Sequence, residues 1–203
     1  NRAPVKCTLG LPGEERNIEL ELKLIADVGL VGWPNAGKST LISRLTSTKV
    51  KIAAYPFTTL RPNLGFVEFD DYSRVLIADI PGIIEGASDN RGLGIEFLRH
   101  IERTKVLIYV IDLASVDDRD PIEDFKILLS EVNSYCTDEI KKPSFVLLNK
   151  IDLLGDTSEE DAFRAAFPDL SDITYTVSCL EDLGISPFRK ALKELVQRDG
   201  KRF

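Results

Sequence analysis

Gly32-Trp33-Pro34-Asn35-Ala36-Gly37-Lys38-Ser39-Thr40 decides the reading of this chain. Its first eight residues match the spacing G-x-x-x-x-G-K-S/T, directly after the apolar run Ala26–Val31 and directly before a helical stretch from Ser39 to about Thr48. In a strand–loop–helix unit, glycines let the backbone wrap closely around a phosphate chain, so that N–H groups and the helix N-terminus face the negative charge. Lys38 is then placed to reach the β- and γ-phosphates of a nucleotide, and Ser39 to hold Mg²⁺. Every residue from Gly32 to Thr40 is expected to line that site.

Outward from this loop, short apolar runs alternate with helical patterns. Ala26–Val31, Leu64–Phe69, Val75–Ile80, Val106–Ile111, Phe145–Leu148 and Ile173–Val177 read as strands buried on both faces. Ile122, Phe125, Leu128, Leu129 and Val132 fall on one helical face behind Asp120 as N-cap and Pro121 at the first helical position. Phe188, Leu192, Leu195 and Val196 repeat the arrangement after Ser186-Pro187. The alternation predicts an α/β fold: a mostly parallel six-stranded sheet with helices on both faces, and ligands at the carboxyl ends of the strands. Leu64–Phe69 and Val75–Ile80 are too close for a helical crossover, so one strand is expected to run antiparallel.

Residues 1–13 are irregular, and Ile18, Leu20, Leu22 and Leu24 then alternate with polar residues as in a half-buried strand. Residues 1–20 are read as the C-terminal remnant of a preceding domain, and 21–203 as the nucleotide-binding domain. With Asn1 first and no methionine, the chain is expected to be a piece of something longer.

The composition is that of a globular protein: 43% hydrophobic, with 26 Lys and Arg against 33 Asp and Glu, a net charge of −7. An acidic balance excludes a surface that grips nucleic acid throughout, so any RNA contact is local or made by a missing part. The longest apolar run, Val106–Ile111, is far below the roughly 18 residues of a membrane span. Cys7, Cys136 and Cys179 have no metal-ligand spacing and are odd in number, which fits a reducing, cytoplasmic location.

Three further strings carry chemistry. Asp79-Ile80-Pro81-Gly82 ends a strand, where the carboxylate can hold Mg²⁺ through water and the Gly82 N–H can meet a γ-phosphate. Asn149-Lys150-Ile151-Asp152 selects the base: Asp152 can accept from both N1–H and N2–H₂ of guanine, adenine offers no such pair of donors, and the Lys150 stem can cover the ring. This string argues against a P-loop kinase or ATPase. Ser178-Cys179-Leu180 ends the next strand, where backbone N–H groups can meet the guanine O6. Cys179 itself reads as a plain buried thiol.

Together these strings resemble the TRAFAC-class GTPases and, more narrowly, the Obg (CgtA) family. The resemblance is carried by residues 24–40, by Tyr55-Pro-Phe-Thr-Thr-Leu-Arg-Pro-Asn-Leu-Gly65, by Asp79-Ile-Pro-Gly-Ile-Ile-Glu-Gly-Ala87 and by Gly92-Leu-Gly-Ile-Glu-Phe-Leu-Arg-His-Ile-Glu-Arg-Thr104. It implies a GTP/GDP switch with Mg²⁺ that hydrolyses GTP slowly, acts in assembly of the large ribosomal subunit, works as a monomer and touches the ribosome through a glycine-rich N-terminal domain. It places Thr59 as the switch-I threonine that meets Mg²⁺ and the γ-phosphate, where chemistry alone leaves Thr58 and Thr59 open. Phe57, Leu60 and Arg61 flank that position beside the nucleotide, with Tyr55 and Phe57 as loop anchors. Lys38, Thr59 and Gly82 are the expected catalytic group.

One departure from the Ras-like pattern matters. Where those enzymes place a glutamine that orients water, this chain has Ile83 after Gly82, so catalysis needs another polar group, a partner or a cation. Asn35 sits where a potassium-dependent subset of related GTPases binds K⁺, and serves equally as a loop-stabilising amide. Gly82, Gly86, Gly92 and Gly94 mark a switch-II segment, with His100 on the helix after it in a supporting place. Asp117, Asp118, Arg119 and Asp120 read as a solvated loop with a helix cap. The alternative function is a sensor whose GDP, GTP or alarmone state reports on stress or growth.

Overall fold

In a computed structural model describing residues 10, 13–16, 26–46, 51–52, 63–79, 104, 106–135 and 144–199, the chain forms eleven regular elements. They are β1 (Val28–Val31), α1 (Lys38–Leu45), β2 (Lys51–Ile52), β3 (Asn63–Glu68), β4 (Arg74–Asp79), β5 (Val106–Asp112), α2 (Pro121–Tyr135), β6 (Phe145–Asn149), α3 (Ser158–Ala166), β7 (Thr174–Thr176) and α4 (Ile185–Asp199). The readings made for Ile18–Leu24, for Tyr55 to Arg61, for Ile80 to Arg103 including Gly82, Ile83 and His100, and for Cys7 and Cys136 lie outside the described residues.

All six expected strands are present, their ends shifted by one or two residues. The two-residue β2 makes a seventh at one edge, in the order β2-β3-β4-β1-β5-β6-β7. Two residues are too short for a period-two signal, and pairing Lys51 with Leu64 and Ile52 with Asn63 is what makes them a strand. β3 runs antiparallel to β2 and to β4, as its short connection to β4 requires, whereas β4, β1, β5, β6 and β7 pair in parallel.

Strand β5 shows why helices must cover both faces. Val106, Ile108 and Val110 enter one core with Leu41, Ile42 and Leu45 of α1 and Phe188 and Leu192 of α4. Leu107, Tyr109 and Ile111 enter the other with Phe125, Leu128 and Val132 of α2 and Phe163 of α3. Burying one such side chain contributes roughly 1.5–3 kcal/mol, so each face is stable only beneath its own helix layer.

Helix α2 starts as its cap requires: the Asp120 carboxylate accepts from the N–H groups of Ile122 (2.7 Å) and Glu123 (3.2 Å). Helix α4 starts at Ile185, one residue before the expected Ser186 cap, and the Phe188 N–H donates to the Gly184 carbonyl at 3.4 Å. Pro187 then occupies a first-turn position whose N–H has no intrahelical partner in any case. Helix α1 takes in Lys38 and closes at Thr46, whose hydroxyl donates to the Ile42 carbonyl at 2.7 Å, short of the expected Thr48.

Helix α3 was not foreseen. Phe163 is its one fully buried residue, held with Phe167 against Phe125 at ring-centroid distances of 5.5 and 4.9 Å.

Candidate functional site

The loop after β1 lies at the carboxyl end of the strand that sits between β4 and β5. Its side chains are sewn into both cores: Ala36 joins the α1 side and Trp33 the α2 side. Trp33 donates from Nε1 to the Asp124 carbonyl at 3.3 Å and carries the Arg119 guanidinium 3.6 Å from its ring centroid. Arg119 also pairs with Asp124 at 2.8 Å, and burial raises the Asp124 carboxyl against the pull of that guanidinium. The Asp117–Asp120 cluster is therefore more than a solvated loop. Arg119 clamps the phosphate loop onto α2, and Asp117 accepts from the Asn35 amide at 3.4 Å.

Each motif glycine has its own reason. A Cβ on Gly32 would lie 2.4 Å from the Val110 carbonyl oxygen of β5. Gly37 has φ +99 and would bring a Cβ within 2.2 Å of Asn149 Nδ2. The first glycine lets the loop leave against a neighbouring strand, and the second lets it turn beside β6 into α1.

Lys38 curls back over the loop, donating from Nζ to the carbonyls of Gly32 (2.8 Å) and Trp33 (2.9 Å). Burial lowers its pKa, and the nearby Asp79 charge pulls the other way. An anion arriving at that ammonium favours the charged form that burial disfavours. Ser39 donates from Oγ to Asp79 Oδ2 at 3.0 Å and accepts from the Asn63 amide at 3.4 Å. Asp79 is 7% exposed, and its Oδ1 is buried with no hydrogen-bond partner among the described residues. Such an orphaned carboxylate oxygen is costly unless something beyond the described residues meets it. Register places it there: Asp79 stands opposite Leu30, just before the loop. Asn63, which no sequence signal singles out, is the added residue here.

The Asn149–Asp152 string is brought alongside. Asn149, 3% exposed, donates from Nδ2 to the Ala36 carbonyl at 2.8 Å and accepts at Oδ1 from the Cys179 N–H at 3.0 Å. Its amide thus ties the phosphate loop to the 178–180 turn. Lys150, at φ +68, pairs with Asp112 Oδ2 at 2.7 Å. Asp112, which the sequence reading missed, is itself held by the N–H groups of Ala114 (3.1 Å) and Val116 (3.3 Å). Asp152 sits half-exposed on the short 3₁₀ turn Ile151–Leu153 and makes no hydrogen bond or ion pair to a described residue. An open acceptor is what a guanine edge requires.

The 178–180 turn corrects one expectation. Ser178 N–H donates to the Leu183 carbonyl at 3.0 Å and Cys179 N–H to Asn149, so neither can meet a base. The Leu180 N–H is the one left without a partner among the described residues. The Cys179 thiol is buried and its pKa is pushed up to about 12 by that burial, which keeps it protonated and inert, as read.

Residues 27–150 match the family described as 50S ribosome-binding GTPase. The chain is 54% identical over 198 residues to the GTPase Obg of Protochlamydia amoebophila, covering 98% of this chain and 57% of that one. It is 52% identical over 196 residues to the GTPase Obg of Akkermansia muciniphila, covering 97% and 55%. It thus spans a little over half the length of these curated relatives. Among solved structures, Era in complex with MgGDPNP and a 16S ribosomal RNA segment superposes with a TM-score of 0.61 at 27% identity, over 85% of this chain and 56% of that one. A variant of Aquifex aeolicus Era bound to GDP and AlF₄⁻ gives 0.62 at 25%, over 84% and 56%. Among the described residues, no helix is long and apolar enough to cross a membrane.

Proposed function

Because this chain belongs to the 50S ribosome-binding GTPases and, within them, to the Obg family, we propose that it binds GTP and hydrolyses it slowly to GDP and phosphate as a cytoplasmic switch in large-subunit assembly. The supporting observation is the convergence of Lys38, Ser39 and the orphaned Asp79 carboxylate oxygen on one loop mouth, with Asn149 linking that mouth to the base-reading turn. Residues 21–203 are read as the GTPase domain and 1–20 as the end of a preceding one.

The residues fit Mg²⁺. Ser39 Oγ and, through water, Asp79 are hard oxygen donors, and among the described residues no cluster of three His, Cys, Asp or Glu side chains makes a metal site without a ligand's own oxygens. Bound there, Mg²⁺ supplies counter-charge to the β- and γ-phosphates. The chain's own part is to lay N–H groups of the loop and the α1 N-terminus along the phosphates, to hand Lys38 from two carbonyls to the phosphate oxygens, and to read guanine with Asp152 under the Lys150 stem. Thr59 and Gly82 are proposed to complete the γ-phosphate contacts.

With Ile83 in place of a water-orienting side chain, turnover by the chain alone should be slow and rise by about tenfold or more when large ribosomal subunits are added. Phosphate release measured with and without subunits checks this; an unchanged rate favours the nucleotide-sensor role over the assembly switch.

A second prediction concerns Asn35. Its Nδ2 donates to Asp117, and its Oδ1, without a partner among the described residues, can hold a cation. K⁺ there would supply positive charge beside the β–γ bridge. Single-turnover hydrolysis is expected to be about tenfold faster in KCl than in NaCl at equal ionic strength, with the difference lost in Asn35→Ala. Equal rates in both salts remove the cation from the mechanism.

A further inference from the structure

Arg44, in the last turn of α1, reaches a turn that lies far from it in sequence. Its Nε donates to the Cys179 carbonyl at 2.9 Å and its Nη2 to the Leu180 carbonyl. Two successive carbonyls suit the two-donor fork of a guanidinium, which an ammonium, as a point charge, does not match.

The consequence follows from peptide geometry. The Cys179 carbonyl and the Leu180 N–H belong to one planar unit, and no described peptide is cis. In a trans unit the C=O and N–H point in opposite directions. Drawing the carbonyl onto α1 therefore turns the Leu180 N–H away from α1. On the other side of Cys179, the preceding N–H is pinned by Asn149 from the end of β6. The two successive peptide units on either side of the Cys179 Cα are thus held from two elements, and the one donor of the turn without a partner among the described residues has its direction set by Arg44.

We infer that Arg44 is a positioning residue for base recognition: it aims the Leu180 N–H at the 6-oxygen of the purine and so couples the phosphate-loop helix to the choice of base. This rests on the guanine reading proposed above. Arg44 itself touches neither base nor phosphate.

The test uses the full chain and two ligands, GDP and the diphosphate of 2-aminopurine riboside, which keeps the 2-amino group and lacks both the 6-oxygen and the N1–H, so that the change on substituting Arg44 isolates the 6-oxygen contact. The unsubstituted protein should prefer GDP. In Arg44→Ala that preference should narrow by about tenfold, the loss of one oriented hydrogen bond, without vanishing, because Asp152 still accepts from the N1–H that guanine has and 2-aminopurine lacks. Arg44→Met, which keeps an apolar stem and removes both donors, should narrow it equally and carries the test if the alanine variant does not fold. Arg44→Lys should restore part of it. Variants that lose both ligands in equal proportion, or that keep the original preference, overturn the role of Arg44 alone. Absence of any preference in the unsubstituted protein overturns the guanine reading, and this inference with it.

Discussion

Lys38→Ala is expected to weaken GTP binding by roughly two to three orders of magnitude while leaving the fold intact. The ammonium makes hydrogen bonds to the Gly32 and Trp33 carbonyls, and a bound polyphosphate would exchange these neutral partners for charged ones. Charge-assisted bonds of this kind contribute about 1.5–3 kcal/mol each, and about 1.4 kcal/mol corresponds to a factor of ten in affinity. The fold should survive because the loop keeps its other anchors: Trp33 on Asp124 and Arg119, and Ala36 on Asn149. Two carbonyls lose a donor, so a small drop in the melting temperature is expected. Titration of the purified variant with GTP decides the matter, and an unchanged affinity would falsify the phosphate-site assignment.

Asp152→Asn is expected to move the preference from GTP to XTP. The exchange replaces an acceptor with a group that can donate, so the guanine 2-amino group loses its partner and the C2 oxygen of xanthine gains one. GTP affinity should fall by about a hundredfold, since a base edge desolvated without its partner loses more than a single neutral hydrogen bond. The substitution should leave stability nearly unchanged. Asp152 is half-exposed and makes no bond within the described chain, so removing its charge breaks nothing. If competition binding shows the variant still choosing GTP, Asp152 does not read the base.

The two side chains behind these predictions were legible for the same reason: each belongs to a short contiguous string whose chemistry is local. Asp79 was legible too, standing at the end of an apolar run. Asn149 was legible as part of its string, but the ties of its amide to Ala36 and Cys179, two partners distant in sequence, were not. Asp112 and Arg44 were not found at all. Asp112 holds Lys150 across the β5–β6 register, and Arg44 reaches over the space between α1 and the 178–180 turn. Neither contact has a periodic or short-range signature. In sequence Arg119 is one more charge in an exposed cluster, and only the fold puts Trp33 beneath it.

The amino-acid order by itself determined the class of fold, the phosphate-loop motif, the Asn149–Asp152 string and the cap of α2. These follow from apolar periodicity, from spacing within a few residues and from the reach of one side chain to its neighbours, and all act before the chain folds. Tertiary structure alone decided that a two-residue edge strand joins the sheet, that α3 forms around Phe163, and, among the described residues, that Asp79 keeps one buried oxygen unpaired and which N–H of the 178–180 turn remains free. Each of these depends on groups brought together across parallel crossovers. No local pattern records them, because the partner that satisfies or deprives each polar group is chosen only when the layers close.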